Sequence, residues 1–161
     1  MGSDLFLRKP RKEDAKSIFT LVKNSKVLDV NSEYLYLLQC THFKESCCVA
    51  TVNDEVVGFI SGYVLPEDPQ TLFIWQVVVD EKMRGQNVAN KILKAILSFD
   101  NMKGINYIHT TVSPSNKPSQ RVFEKLAESF NTTFKNSTMF AKEDFIHGHE
   151  DEVLYEIGPL Q

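Results

Sequence analysis

The 161-residue sequence predicts a single domain of the α/β (α+β) class, a mixed central sheet with helices on both faces. Three observations lead there. Segments of helical apolar periodicity alternate with short β-rich runs, residues 47–65 carry a hairpin signal, and a nearly unbroken apolar run at 71–79 passes through a glycine-containing turn into a helix.

The elements follow in chain order. After a short strand at 5–8, residues 13–23 place Ala15, Ile18, Phe19 and Val22 at i, i+3, i+4 and i+7, which is one face of an amphipathic helix. The stretch 28–38 starts polar and turns apolar, with Asn31 or Ser32 able to cap a second helix. Strands at 47–52 and 56–65 flank Asn53-Asp54-Glu55, a hairpin connection. Pro66-Glu67-Asp68-Pro69 breaks the chain before 71–79, whose composition suits a mid-sheet strand covered on both faces. A helix from about Asn87 then presents Val88, Ile92, Ala95, Ile96 and Phe99 on one face and ends before Gly104. A strand at 107–112 completes a crossover unit, a helix runs from the Ser113–Pro118 turn through Phe130, and a strand at 152–157 closes the chain.

Composition excludes some partners. A formal charge of −3 gives no broad cationic surface for nucleic acid or an anionic membrane. The N-terminal residues lack an apolar signal run, and no stretch reaches transmembrane length. The three cysteines, Cys40, Cys47 and Cys48, form an odd set without metal-ligand spacing, as expected of buried, reduced thiols in the cytoplasm.

The chemistry concentrates where the apolar strand meets its helix. Val77-Val78-Val79 runs into Asp80-Glu81-Lys82-Met83-Arg84-Gly85-Gln86-Asn87-Val88-Ala89. Unpaired N–H groups and the positive end of a helix dipole converge at such a turn, which therefore binds phosphate or pyrophosphate. Gly85 lets the backbone bend toward the anion and Arg84 adds a cationic donor. A Walker loop is excluded because no Gly-Lys-Ser or Gly-Lys-Thr follows, and a dinucleotide fingerprint because the glycine spacing is wrong. The segment resembles the acetyl-CoA loop of the GNAT superfamily, Arg/Gln-x-x-Gly-x-Gly/Ala. Arg84 and Ala89 match the ends, while Asn87 stands at the middle glycine; asparagine also accepts left-handed backbone. The resemblance implies that Arg84, Gly85, Gln86, Asn87, Val88 and Ala89 hold the pyrophosphate of acetyl-CoA, and that backbone N–H groups near Val77 and Val79 hold its pantetheine arm and polarise the thioester. It implies a cofactor-binding or catalytic role for Asn116, which can equally cap its helix through the N–H of Ser119. Seven residues on, the superfamily's tyrosine is Phe123, which cannot protonate a leaving thiolate.

Over almost the entire chain the sequence is similar to the diaminobutyrate acetyltransferases. The likeness rests on Leu28-Asp29-Val30-Asn31-Ser32-x-Tyr34-x-Tyr36-Leu37-Leu38 with Cys40-Thr41-His42-Phe43, on Val57-Gly58-Phe59-Ile60-Ser61-Gly62-Tyr63, on Phe73-x-Trp75-Gln76-Val77, on Thr111-Val112-x-Pro114-x-Asn116, and on His149-Glu150-Asp151-Glu152. It implies acetyl transfer from acetyl-CoA to the γ-amino group of L-2,4-diaminobutyrate in ectoine biosynthesis, by a homodimer. An acceptor with two ammonium groups and one carboxylate needs anionic side chains and a wall that limits length. Asp29, Tyr34 and Trp75 are the expected acceptor residues, and Asp29 can also serve as a helix entry and Trp75 as core. His149 and Glu152 are expected to take the γ-ammonium proton and to anchor an ammonium, with a plain surface turn as the alternative. Two imidazoles and three carboxylates within residues 147–152 also resemble a metal site, but acetyl transfer needs none, and no metal is expected. The competing readings are an acetyltransferase for a polyamine or amino sugar, and a non-catalytic acyl-CoA-binding module.

Overall fold

The computed structural model describes residues 4–25, 28 and 30–161. Its strands are β1 (Leu5–Arg8), β2 (Cys48–Val52), β3 (Glu55–Leu65), β4 (Asp68–Val79), β5 (Tyr107–Val112), β6 (Phe134–Phe140) and β7 (Glu152–Ile157), and its α-helices are α1 (Ala15–Ser25), α2 (Glu33–Gln39), α3 (Val88–Ser98) and α4 (Lys117–Ser129). The strands hydrogen-bond in the order β1-β2-β3-β4-β5-β7-β6. The sheet is mixed, since β4 and β5 run parallel while β5 and β7 run antiparallel. Contacts divide the chain into two compact units, one of Met1–Tyr63 with Gln76–Lys103 and one of Val64–Trp75 with Gly104–Gln161.

In the first unit β2 and β3 are joined by Asn53 and Asp54, both at positive φ (52° and 64°). A two-residue turn of that kind matches the twist of the flanking strands, which explains the hairpin signal. The apolar stripe of α1 is buried as its spacing requires: Ala15, Ile18 and Val22 pack with Tyr36 of α2, with Cys40 just beyond it and with Cys47, Val49, Val56, Phe59 and Val78, and Phe19 joins this core only in part. Ser32 caps α2, its hydroxyl accepting the Leu35 N–H at 3.1 Å. At the entry to α1 the half-buried Arg8 donates two hydrogen bonds, of 2.8 and 3.0 Å, to the Asp14 carboxylate, which also accepts the Arg11 N–H at 2.7 Å. Gly58 allows α3 to lie close to β3, for a Cβ there would come within 3.0 Å of Ile92 Cδ1. The buried face of α3 is Val88, Ile92, Leu93 and Ile96. Ala95 and Phe99, expected on that face, are only half-buried: the helix ends at Ser98, Phe99 turns to extended backbone, and the Lys9 ammonium sits 4.9 Å over its ring.

In the second unit, residues Thr71 to Ile74 of β4 pair with Tyr107 to Thr110 of β5, and β7 lies between β5 and β6. Leu72, Ile74, Ile108, Val112, Tyr155 and Ile157 are buried strand residues, and Phe123, Leu126 and Ala127 form the buried side of α4. Two expectations need correction. The break at residues 66–69 is shorter than its two prolines suggest, because β4 begins at Asp68; Pro69 precedes Thr71, the first residue paired with β5, so its missing N–H removes no bond of that ladder. β6 was not foreseen at all, because its polar centre, Lys135-Asn136-Ser137-Thr138, belongs to an edge strand with residues 135–140 exposed. No helix among the described residues is long and apolar enough to cross a membrane.

Candidate active site

In the first unit, the connection from β4 to α3 is folded so that its backbone can receive an anion. The Asp80 N–H donates to Val57 O at 2.8 Å, and the Asp80 carboxylate accepts the Lys82 N–H at 3.1 Å. A 3₁₀ turn at Glu81–Met83 follows, closed by Arg84 N–H to Glu81 O at 3.0 Å and Gln86 N–H to Met83 O at 3.3 Å. Gly85 takes φ 84° and Asn87 takes φ 58°, ψ 33°, both left-handed. Asn87 starts α3 with its carbonyl, which accepts the Lys91 N–H at 3.2 Å, but its side chain makes no capping hydrogen bond. The first-turn N–H groups of α3 are thus not used up by the residue before them, and together with the helix dipole they favour an anion. Arg84 is largely exposed and lies 4.0 Å from Glu81 Oε1. Gln86 is exposed, Val88 anchors the helix start in the core, and Ala89 is half-buried. Val77 and Val79 are half-exposed and alternate with buried Val78, so the expected loop residues follow one another directly along the chain from β4 into α3.

Tyr36 belongs to the same unit and was not singled out from the sequence. Its buried hydroxyl donates to Gln76 Oε1 at 2.9 Å and accepts the Asn31 N–H at 3.5 Å, tying the entry of α2 to β4 one residue before Val77. The signal was present in Tyr34-x-Tyr36 and Trp75-Gln76, where buried Tyr36 and half-buried Gln76 lie close in sequence to the residues chosen. Tyr34 itself is 68% exposed. Asp29 lies outside the described residues. Trp75 is 38% exposed, so β4 is not covered on both faces at that point.

In the second unit, an acidic segment meets the loop between β5 and α4. Glu152, the first residue of β7, accepts the Thr111 hydroxyl on Oε1 and the Ser113 hydroxyl on Oε2, both at 2.8 Å. Glu150 accepts the Ser115 N–H at 3.0 Å and is also bonded to the Ser115 hydroxyl. Asn116 caps α4, its amide oxygen accepting the Ser119 N–H at 3.3 Å. The half-buried His149 ring stacks on Phe145, with centroids 4.0 Å apart, and its Nδ1 lies 2.5 Å from Glu150 O. Nδ1 donates to that carbonyl in the tautomer that carries its proton there. His149, Glu152 and Asn116 are therefore brought into one neighbourhood by the Glu150–Ser115 link. Asp151 accepts the Lys142 N–H at 2.7 Å instead. Among the described residues no group of three or more His, Cys, Asp or Glu side chains is placed to hold a metal ion.

The position of the superfamily's tyrosine is occupied by buried Phe123, which carries no proton to give. Burial also settles the state of the thiols: it pushes Cys40, Cys47 and Cys48 up to about 12, so they are neutral thiols rather than nucleophiles.

The model of the Acetyltransferase (GNAT) family matches residues 13–127. The L-2,4-diaminobutyric acid acetyltransferase of Methylotuvimicrobium alcaliphilum is 44% identical over 156 residues, spanning 96% of this chain and 91% of its own. That of Halalkalibacterium halodurans is 40% identical over 162 residues, spanning 99% and 85%. Among solved structures, the diaminobutyrate acetyltransferase EctA from Paenibacillus lautus, in complex with its substrate L-2,4-diaminobutyric acid and coenzyme A, superposes with a TM-score of 0.95 at 35% identity, covering 99% of this chain and 98% of the other. Ard1 from Thermoplasma volcanium, at 21% identity and a TM-score of 0.77 over 95% and 97%, shares the fold.

Proposed function

The chain belongs to the diaminobutyrate acetyltransferases of the GNAT family, and from that premise we propose that it transfers the acetyl group of acetyl-CoA to the γ-amino group of L-2,4-diaminobutyrate, making the acetylated precursor for ectoine biosynthesis. The observation that carries the proposal is the full-length likeness to the Paenibacillus lautus enzyme, which binds both diaminobutyrate and coenzyme A.

The residues take the following parts. The N–H groups of the Arg84–Ala89 turn and the Arg84 guanidinium receive the pyrophosphate. Backbone N–H groups near Val77 and Val79 hold the pantetheine arm and polarise the thioester carbonyl, a kind of donor worth about 10²–10³ in rate. Asn116, whose oxygen caps α4, lends its amide to the same arm. Asp29, Tyr34 and Trp75 receive the amino-acid end of the acceptor, and Glu152 anchors one ammonium. His149 takes the γ-ammonium proton. The neutral amine then attacks the carbonyl; the C–N bond forms, the nitrogen gives up its second proton to water, the tetrahedral oxyanion collapses, the C–S bond breaks, and water protonates the thiolate because Phe123 cannot. High thiol pKa values at all three cysteines favour this direct route over an acetyl-enzyme. We also read the enzyme as a cytoplasmic homodimer working as one domain. The dimer is supported by β6, which among the described strands pairs with β7 alone and exposes Met139 and Phe140.

Free thiol release from acetyl-CoA in the presence of diaminobutyrate, spermidine or glucosamine tests the proposal. Diaminobutyrate is expected to drive release and to yield the γ-acetylated isomer by NMR. Release with the polyamine or amino sugar alone overturns the acceptor, and release with none of them leaves only an acyl-CoA-binding module. In the same assay His149→Ala should lower kcat about 10²-fold and flatten the acidic limb of its pH profile. A native profile would remove His149 from proton transfer.

A further inference from the structure

The reading of Glu152 as an ammonium anchor has a structural corollary in the two hydroxyls that meet it. Thr111 lies in β5 and Ser113 just beyond its end, two residues apart, so their side chains project on one side of the strand. β5 and β7 are antiparallel with Val112 opposite Val153 and Thr111 opposite Leu154. One further step of that register sets Ser113 across from Glu152, with Thr111 its diagonal neighbour, the two positions from which cross-strand side chains reach one another. Each hydroxyl donates at 2.8 Å to a different carboxylate oxygen. A carboxylate has about four lone-pair sites on its two oxygens. The clamp occupies one on each oxygen and leaves one on each for an incoming donor.

The side chains around the clamp point to binding rather than to core packing. Thr111, Ser113, Glu152 and Leu154 are half-exposed, whereas Thr110, Val112 and Tyr155, which alternate with them, are buried. A fold that needed only a satisfied sheet would gain little from spending two hydroxyls on a half-exposed glutamate that water could solvate. A site that must hold a glutamate in one rotamer gains directly, because an unconstrained Glu has three rotatable bonds to restrict when the ligand arrives. The Glu150–Ser115 link holds the preceding turn beside it.

We infer that Thr111 and Ser113 are positioning residues for the acceptor: they fix the Glu152 carboxylate in advance so that both its oxygens take an ammonium group of the diamino acid. This rests on the anchoring role proposed for Glu152. Thr111→Val keeps shape and strand preference while removing the donor, and Ser113→Ala does the same outside the strand. Each should raise KM for diaminobutyrate about tenfold, the range of a hydrogen bond to a charged group, with KM for acetyl-CoA and the unfolding temperature unchanged. Thr111→Ser should restore the native KM. In a Glu152→Gln background the two substitutions should add much less than they do alone. If Glu152→Gln raises KM for diaminobutyrate while neither hydroxyl variant does, the clamp is overturned and the anchor stands. If Glu152→Gln leaves KM native, both fall. Should Thr111→Val fold poorly, Ser113→Ala and Thr111→Ser decide the question alone, since a serine without rescue or an alanine without effect contradicts the clamp.

Discussion

Asn87 holds a backbone conformation, φ 58° and ψ 33°, that most L-residues enter only at a cost of about 1–2 kcal/mol. Asparagine enters it more readily, so it can stand where related loops carry glycine. Asn87→Gly should therefore leave stability within about 0.5 kcal/mol of native, whereas Asn87→Ala should lower it by about 1 kcal/mol, as read by urea denaturation. Equal stability of the two variants would mean that the turn is unstrained. At the same loop Arg84→Glu should weaken acetyl-CoA binding about tenfold or more by calorimetry, since it sets a negative charge at a helix N-terminus that receives an anion; an unchanged affinity would place the pyrophosphate elsewhere. Both residues were legible in the sequence because a strand, a glycine turn and a helix start are consecutive there. The partners of Glu152 were not. Thr111 and Ser113 lie 41 and 39 residues away in sequence, and only the β5–β7 register brings them together.

The start of α1 depends on an ion pair that its apolar periodicity does not reveal. Burial by itself raises the Asp14 carboxyl, but the Arg8 hydrogen bonds, the Arg11 N–H and the charges of both arginines together outweigh it, and the group lies below its ordinary value. Arg8 is raised in turn, chiefly by its hydrogen bond to Asp14, and stays charged throughout. A depressed carboxyl stabilises the fold above its unfolded pKa of about 4 and loses that contribution as pH falls further through the folded value. Asp14→Asn should accordingly cost about 2 kcal/mol at neutral pH and flatten the acid limb of stability below about pH 4. Parallel acid limbs for variant and native protein, in urea titrations between neutral pH and pH 3, would contradict the assignment. Helices and central strands were readable here because periodicity and caps are local. β6 escaped because a strand exposed along residues 135–140 shows no apolar alternation, and the start of β4 escaped because Pro69 reads locally as a break although the ladder with β5 begins only at Thr71.

Each of the two compact units is assembled from two separate stretches of chain, so no single cut separates one from the other. This interleaving supports one cooperative domain, and the proposed dimer adds a mass-action contribution to its stability. Thermal unfolding should then show one transition whose midpoint rises with protein concentration, and sedimentation should give twice the monomer mass. Two transitions would identify the units as separate domains; a concentration-independent midpoint with a monomeric mass would refute the dimer. The buried cysteines carry a practical consequence for all such measurements. Cys40, Cys47 and Cys48 are at most 1% exposed and held as neutral thiols, so a chromogenic thiol reagent added during turnover meets the sulfur of coenzyme A and not that of the native protein. The same reagent, applied without substrate, counts three sulfurs per chain only as molecules open, and the enzyme thereby supplies both a silent background for its assay and an internal gauge of its own unfolding.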